Sequence, residues 1–153
     1  MDFHTIRLLT PWDVSRCCDG EPEATLYRGK LPCRLQQPDS GWPICLKRRF
    51  NTPSGLSAST RVFLRVFWRA ATLAVQLNGK ALTACDLSLN SFRTANPEHS
   101  ENQTGEIFEI TGSLQSGNLI EIQMTGLTEP AVYEADVPRL PELAWVSLEI
   151  AEE

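Results

Sequence analysis

The sequence predicts an all-β protein, an antiparallel β-sandwich or barrel assembled from short strands. Three observations point there. Apolar and polar residues alternate with period two along most hydrophobic segments, while helical spacing is nearly absent. Asn78-Gly79 stands between two alternating runs and suits a two-residue hairpin turn, because both residues tolerate positive φ. Proline and glycine punctuate the gaps, at 38–43, 53–55, 116–117 and 138–141.

Taken in chain order, 5–9, 24–28 and 44–50 are the first strand candidates. In the third, Ile44, Leu46, Arg48 and Phe50 share a face. Arg48 then either points inward, where a guanidinium requires a carboxylate or several carbonyls, or is turned to solvent by a bulge or an edge position. Residues 61–69 read more clearly: Val62, Leu64, Val66 and Trp68 lie on one face, and Phe63, Arg65, Phe67 and Arg69 on the other. In 72–77, Leu73, Val75 and Leu77 oppose Thr72, Ala74 and Gln76. After the Asn78-Gly79 turn a return strand is expected over 80–85, and weaker runs follow at 87–92 and 131–135. At 106–110, Phe108 and Ile110 face inward and Glu109 outward. In 119–125, Ile120, Ile122 and Met124 oppose Leu119, Glu121 and Gln123. The closing run, 145–150, sets Val146, Leu148 and Ile150 against Trp145, Ser147 and Glu149.

With 153 residues the chain has the size of one domain, expected to span 1–153, and can bury roughly 70% of its unfolded surface. Its 42% hydrophobic and 22% charged residues exclude disorder, collagen and coiled coil. Fourteen Lys and Arg against nineteen Asp and Glu give a net charge of −5, which offers no long-range attraction to a polyanion. The densest basic cluster, Lys47, Arg48 and Arg49, falls inside a strand candidate, so no nucleic-acid partner is expected. No apolar run has the length of a membrane span and no secretory leader is visible, so a soluble, cytoplasmic protein without a membrane partner is expected.

The cysteines, Cys17, Cys18, Cys33, Cys45 and Cys85, are odd in number and lack Cys-x-x-Cys spacing. Buried or half-buried free thiols in a reducing compartment are therefore expected, with no disulfide framework and no metal site. The sequence carries no Gly-x-Ser-x-Gly elbow, P-loop, dinucleotide fingerprint or His-Glu-x-x-His, and no cofactor is expected. His99, among Glu98, Ser100 and Glu101, reads as part of a solvated loop.

The order of motifs resembles the sugar-binding domain of glycoside hydrolase family 2, the β-galactosidase and β-glucuronidase group. The carriers are Lys47-Arg48-Arg49-Phe50, Arg61-Val-Phe-Leu-Arg-Val, Ala74-Val-Gln-Leu-Asn-Gly-Lys80, Phe108-Glu-Ile-Thr111, Leu114, Gly117-Asn118-Leu119 and Val146-Ser-Leu-Glu-Ile150. The resemblance covers roughly 42–150 and implies a jelly-roll sandwich of the galactose-binding-domain-like kind, in which the strand at 5–9 would pair with the last. Each motif also has a folding reason: Asn78-Gly79 makes a turn, and 111–117 is a tight corner plugged by Leu114. The family's glycine-rich loop before the Phe-x-Ile-Thr segment is replaced by the polar stretch 96–105, a departure that weakens the carry-over of any sugar contact from it.

In that family hydrolysis resides in a separate barrel with two glutamates, for which this chain has no room, so no catalysis is expected. Sugars are gripped by aromatic faces and planar polar side chains, which makes Trp42, Arg69, Asn90, Arg93, His99 and Tyr133 the candidate ligand-binding residues. The expected function is a non-catalytic carbohydrate-binding module, standing alone or accessory to a separate glycoside hydrolase. The alternative is a structural or protein-interaction sandwich without a ligand site, pairing with a protein partner or with a second copy. The face of Phe63, Arg65, Phe67 and Arg69 would carry that alternative if it were exposed.

Overall fold

The computed structural model describes residues 3–18, 21–29, 43–68, 72–86, 104–125, 133–134, 137–138 and 145–152. Twelve strands are found among them: β1 (Phe3–Arg7), β2 (Trp12–Cys18), β3 (Glu21–Gly29), β4 (Ile44–Asn51), β5 (Thr60–Trp68) and β6 (Thr72–Leu77), then β7 (Lys80–Ala81), β8 (Thr104–Glu109), β9 (Gly117–Thr125), β10 (Tyr133–Glu134), β11 (Val137–Pro138) and β12 (Trp145–Glu152). A four-stranded sheet runs in the order β1-β12-β5-β8 and a six-stranded sheet in the order β3-β2-β4-β9-β6-β7. β10 and β11 form a separate two-stranded ribbon. All pairs are antiparallel, and the protein is an all-β sandwich as its sequence predicts.

The period-two pattern decides which face meets the core. From the four-stranded sheet come Val62, Leu64, Val66, Phe108, Val146 and Leu148; from the six-stranded sheet come Val14, Ile44, Leu46, Val75, Leu77, Ile120, Ile122 and Met124. Ile120, Ile122 and Met124 have no exposed surface at all, and a side chain buried so fully contributes about 1.5–3 kcal/mol. Leu114 is half-buried against this core, behind a 3-10 turn over Thr111–Ser113.

The first strand pairs with the last as expected, from Phe3 opposite Ala151 to Arg7 opposite Ser147. One expectation needs correction. The return strand after the hairpin ends at Ala81 rather than at 85. The cause is visible in the backbone: Leu82 N–H still donates to Val75 O at 2.9 Å, but Cys85 N–H donates to Ile107 O of the other sheet at 2.7 Å, so the chain is already crossing the sandwich. Within the run at 131–135, the described residues Tyr133–Glu134 form β10. The candidate at 87–92 lies outside the described residues. Two strands are absent from the sequence expectation, the two-residue β11 and β2, in which Trp12 and Val14 are buried in the core while Asp13 and Ser15 lie on the opposite face.

The sandwich carries polar structure as well. Asn78 and Gly79 take φ of 54° and 80°, the left-handed geometry the turn demands. Asn78 Oδ1 then accepts from Leu119 N–H at 2.9 Å, and its amide donates to Asn118 Oδ1 at 3.1 Å. Asn118, 2% exposed, accepts from Gln115 N–H at 2.9 Å and donates to Thr52 Oγ1 and Gln115 O, each at 3.0 Å. Every amide atom of this buried side chain is thus partnered, and the hairpin, the 111–117 corner and the end of β4 are tied together.

Candidate functional site

Beyond the core, the face of the four-stranded sheet that points away from it is buried at its centre. Phe63 and Arg65 are only 1% and 2% exposed, and Phe63 packs with Ile107, Ala151 and Phe3 in a second apolar cluster. Arg65 Nη2 meets Glu149 Oε1 at 2.9 Å, both side chains being almost fully buried. Thr5 and Ser147 hydroxyls also donate to the Glu149 carboxylate. Burial pulls the Arg65 guanidinium below its ordinary value, against the attraction of Glu149. At these positions the face is interior, not an exposed surface for a partner. The side chains of Phe67 and Arg69 lie outside the described residues.

The corresponding face of the six-stranded sheet carries a cross-strand row of alternating charge. Register places Arg28 opposite Asp13, Asp13 opposite Lys47, and Lys47 opposite Glu121. Lys47 Nζ lies 2.8 Å from Glu121 Oε1, and Arg28 Nε lies 3.3 Å from Asp13 Oδ1. The Glu121 hydrogen bond holds Lys47 above its ordinary value despite partial burial.

At the Asp13 and Lys47 pair the β2–β4 ladder ends, whereas β4 continues to Asn51 along β9. The gap so left is a cleft of about 270 Å³ lined by Pro11, Asp13, Arg28, Lys47, Arg48, Arg49 and Leu119. Four of these seven residues are cationic in a chain whose net charge is −5. Asp13 answers Arg28 and Glu121 answers Lys47, which leaves Arg48 and Arg49 without an ion pair among the described residues.

Arg48 lies on the core side of β4, as the Ile44, Leu46 and Phe50 parity indicates, and the β4–β9 register runs without a bulge. It has neither a carboxylate nor carbonyl partners there, contrary to the requirement drawn from the sequence. Its guanidinium carbon instead sits 6.0 Å from the centre of the Trp12 ring, and its Nε and Nη1 are buried with no hydrogen-bond partner. Burial lowers its ordinary value. Trp12 is fully buried beneath it, with its indole N–H satisfied by Leu8 O at 2.6 Å. A ring with a cation over its face gains from cation–π attraction, which is why an inward arginine is tolerated here.

A smaller depression of about 90 Å³ adjoins the same row, lined by Cys17, Cys45, Lys47, Ala74, Gln76, Glu121 and Gln123. Cys17, Cys45 and Cys85 are free thiols, the first two buried. Burial, reinforced by the neighbouring Cys17 thiol, pushes Cys45 up to about 12, which keeps it a thiol and not a thiolate nucleophile at neutral pH. No group of three or more His, Cys, Asp or Glu that could hold a metal comes together among the described residues. No helix among them is long and apolar enough to cross a membrane.

Of the site residues expected from sequence, Trp42, Arg69, Asn90, Arg93 and His99 lie outside the described residues. Tyr133 pairs with Pro138 across the β10–β11 ribbon. The cleft draws instead on Lys47, Arg48 and Arg49, which the sequence singles out as its densest basic cluster. Asp13, Arg28 and Leu119 join them only through strand register.

The fold is shared with parts of much longer enzymes. A β-glucuronidase from an uncultured Clostridium sp. superposes with a TM-score of 0.64 at 13% identity, over 99% of this chain and 29% of that one. An FMN-binding β-glucuronidase from Faecalibacterium prausnitzii L2-6 gives 0.61 at 18% identity, over 98% of this chain and 23% of that one. A β-glucuronidase of glycoside hydrolase family 2 gives 0.57 at 12% identity, over 98% and 18%. This chain therefore spans less than a third of the length of each of these enzymes and shares the fold of that segment. No protein-family model and no curated protein matches the sequence.

Proposed function

We propose that this chain is a non-catalytic carbohydrate-binding module, a single sandwich domain standing alone or accessory to a glycoside hydrolase. The observation that carries the reading is the superposition of 98–99% of the chain on one segment of several β-glucuronidases. Two features of the cleft support a binding rather than a catalytic role. Glycoside hydrolysis needs two carboxylates flanking the sugar, and the cleft is lined by one, Asp13, already paired with Arg28. Preformed cationic side chains on rigid strands, by contrast, suit recognition. The rival reading, a protein-interaction sandwich, relied on an exposed aromatic and cationic face. Burial of Phe63 and Arg65 within the chain removes that support.

A glycan array, followed by calorimetry of the hits, tests the proposal. Saturable binding of at least one glycan by monomeric protein is the expected result. Absence of binding to any glycan, together with a dimer in solution, would overturn it in favour of the interaction reading.

A further inference from the structure

We propose that the cleft at the head of β2 receives the carboxylate of an acidic saccharide, with Arg48 and Arg49 holding it; this rests on the carbohydrate-binding reading above. Three observations lead to it. First, Arg48 Nε and Nη1 are buried donors without acceptors. A cation so buried costs free energy, and a carboxylate that approaches the same guanidinium in the cleft offsets part of that cost. Second, Arg49, the next residue of β4, is exposed, has no ion pair among the described residues and lines the same cleft from the opposite face of the strand. Planar guanidinium forks match carboxylate oxygens in pairs, which gives geometric selectivity beyond charge. Third, the cleft offers no aromatic platform. Trp12 is wholly buried beneath Arg48, so its face is taken by the guanidinium and cannot stack on a sugar ring.

Recognition must then be ionic, with Leu119 as the apolar wall against which the C–H face of a ring can rest. At about 270 Å³ the cleft lies near the lower end of ligand sites, about 300 Å³, which favours one terminal residue over an extended chain. Asp13 fits the same picture. It faces Arg28 across the strands and supplies the one acceptor in the lining for a sugar hydroxyl.

The test is an amide NMR titration of the full chain with sodium D-glucuronate, D-glucose, sodium sulfate and a tetraglutamate peptide at matched ionic strength. The proposal expects glucuronate to shift the amides of Arg48, Arg49 and Leu119 in a saturable way, with glucose and sulfate at least tenfold weaker. It expects Arg49→Ala and Arg48→Gln each to weaken glucuronate about tenfold or more, while Lys80→Ala, a cation outside the cleft, changes nothing. Urea unfolding of each variant confirms that it is folded. Equal binding of glucose and glucuronate, unaffected by the arginine variants, overturns the cleft assignment and leaves the carbohydrate reading standing. Binding of the peptide but of no sugar, lost in the arginine variants, overturns both and makes the cleft a protein-docking site. Sulfate binding as tightly as glucuronate reduces the cleft to an unselective anion site and overturns the assignment. No response to any probe overturns it as well.

Discussion

Arg65 and Arg48 occupy interior strands of the two facing sheets, and their surroundings could hardly differ more. Arg65, on the side of β5 away from the core, is almost completely buried and is met by Glu149 at 2.9 Å, which is itself bound by Thr5 and Ser147 hydroxyls. Arg48, on the core side of β4, is half-buried against Trp12 and leaves two nitrogens without acceptors. One arginine is paired with a carboxylate of the chain itself; the other lines an open cleft. A buried charge with its partner in place is structural by construction, because removing the partner strands it. A half-buried charge without one among the described residues is an unfinished contact, the one that the proposed carboxylate would complete.

The comparison makes predictions of graded size. Glu149→Ala is expected to cost about 3–5 kcal/mol, since it removes the carboxylate that faces the buried Arg65; a shift in the urea midpoint equivalent to less than about 1 kcal/mol would mean that the pair is not a structural element. Asn118→Ala is the test of a closed network without charge. Loss of its four hydrogen bonds orphans Gln115 and Thr52 groups and is expected to cost about 1–3 kcal/mol in the same measurement. Arg48→Met keeps the volume over Trp12 and removes the orphaned donors, so stability should stay within about 1 kcal/mol of the parent or rise. A large destabilisation there would place Arg48 in the same class as Arg65 and erase the distinction.

The smallest effect belongs to an ion pair on the same sheet as Arg65 but in solvent. Arg61 Nη2 and Glu109 Oε2 are 2.9 Å apart with both side chains more than a third exposed. The Arg61 hydrogen bonds hold the Glu109 carboxyl below its ordinary value of 4.5. A depressed folded-state value means that the stabilisation is complete above the ordinary value and is lost as pH falls through the folded one. Glu109→Gln should therefore flatten the acid limb of a stability–pH curve below about pH 4.5 by no more than about 0.5 kcal/mol, screened by salt.

Much of this molecule is legible in its sequence. Period-two alternation in 61–69, 119–125 and 145–150 identifies the strands and the side of each that meets the core, because a pleated strand admits only two directions for a side chain. Asn78-Gly79 marks its turn because few other pairs accept two positive φ values. β2 was harder to read: Trp12 and Val14 alternate correctly, but Asp13, Ser15 and Arg16 give no hydrophobic contrast beyond them. The return strand was overextended because the local pattern does not reveal that Cys85 is needed by the opposite sheet. The parity of Arg48 could be read from β4 alone, but its partner could not. The six residues expected at sugar contact follow from residue type, and register bears on Tyr133 alone among them, which it places opposite Pro138.

The sequence by itself determined the all-β class, the core positions and the tight turn, since these follow from local stereochemistry and from which residues avoid water. Tertiary structure alone decided that Phe63 and Arg65 are interior, that Trp12 lies beneath Arg48, and that Asp13, Arg28 and Leu119 share a cleft with the basic run of β4. Those outcomes depend on which strands become neighbours and in what register, and pairing between strands far apart in the chain leaves no local trace in any one of them.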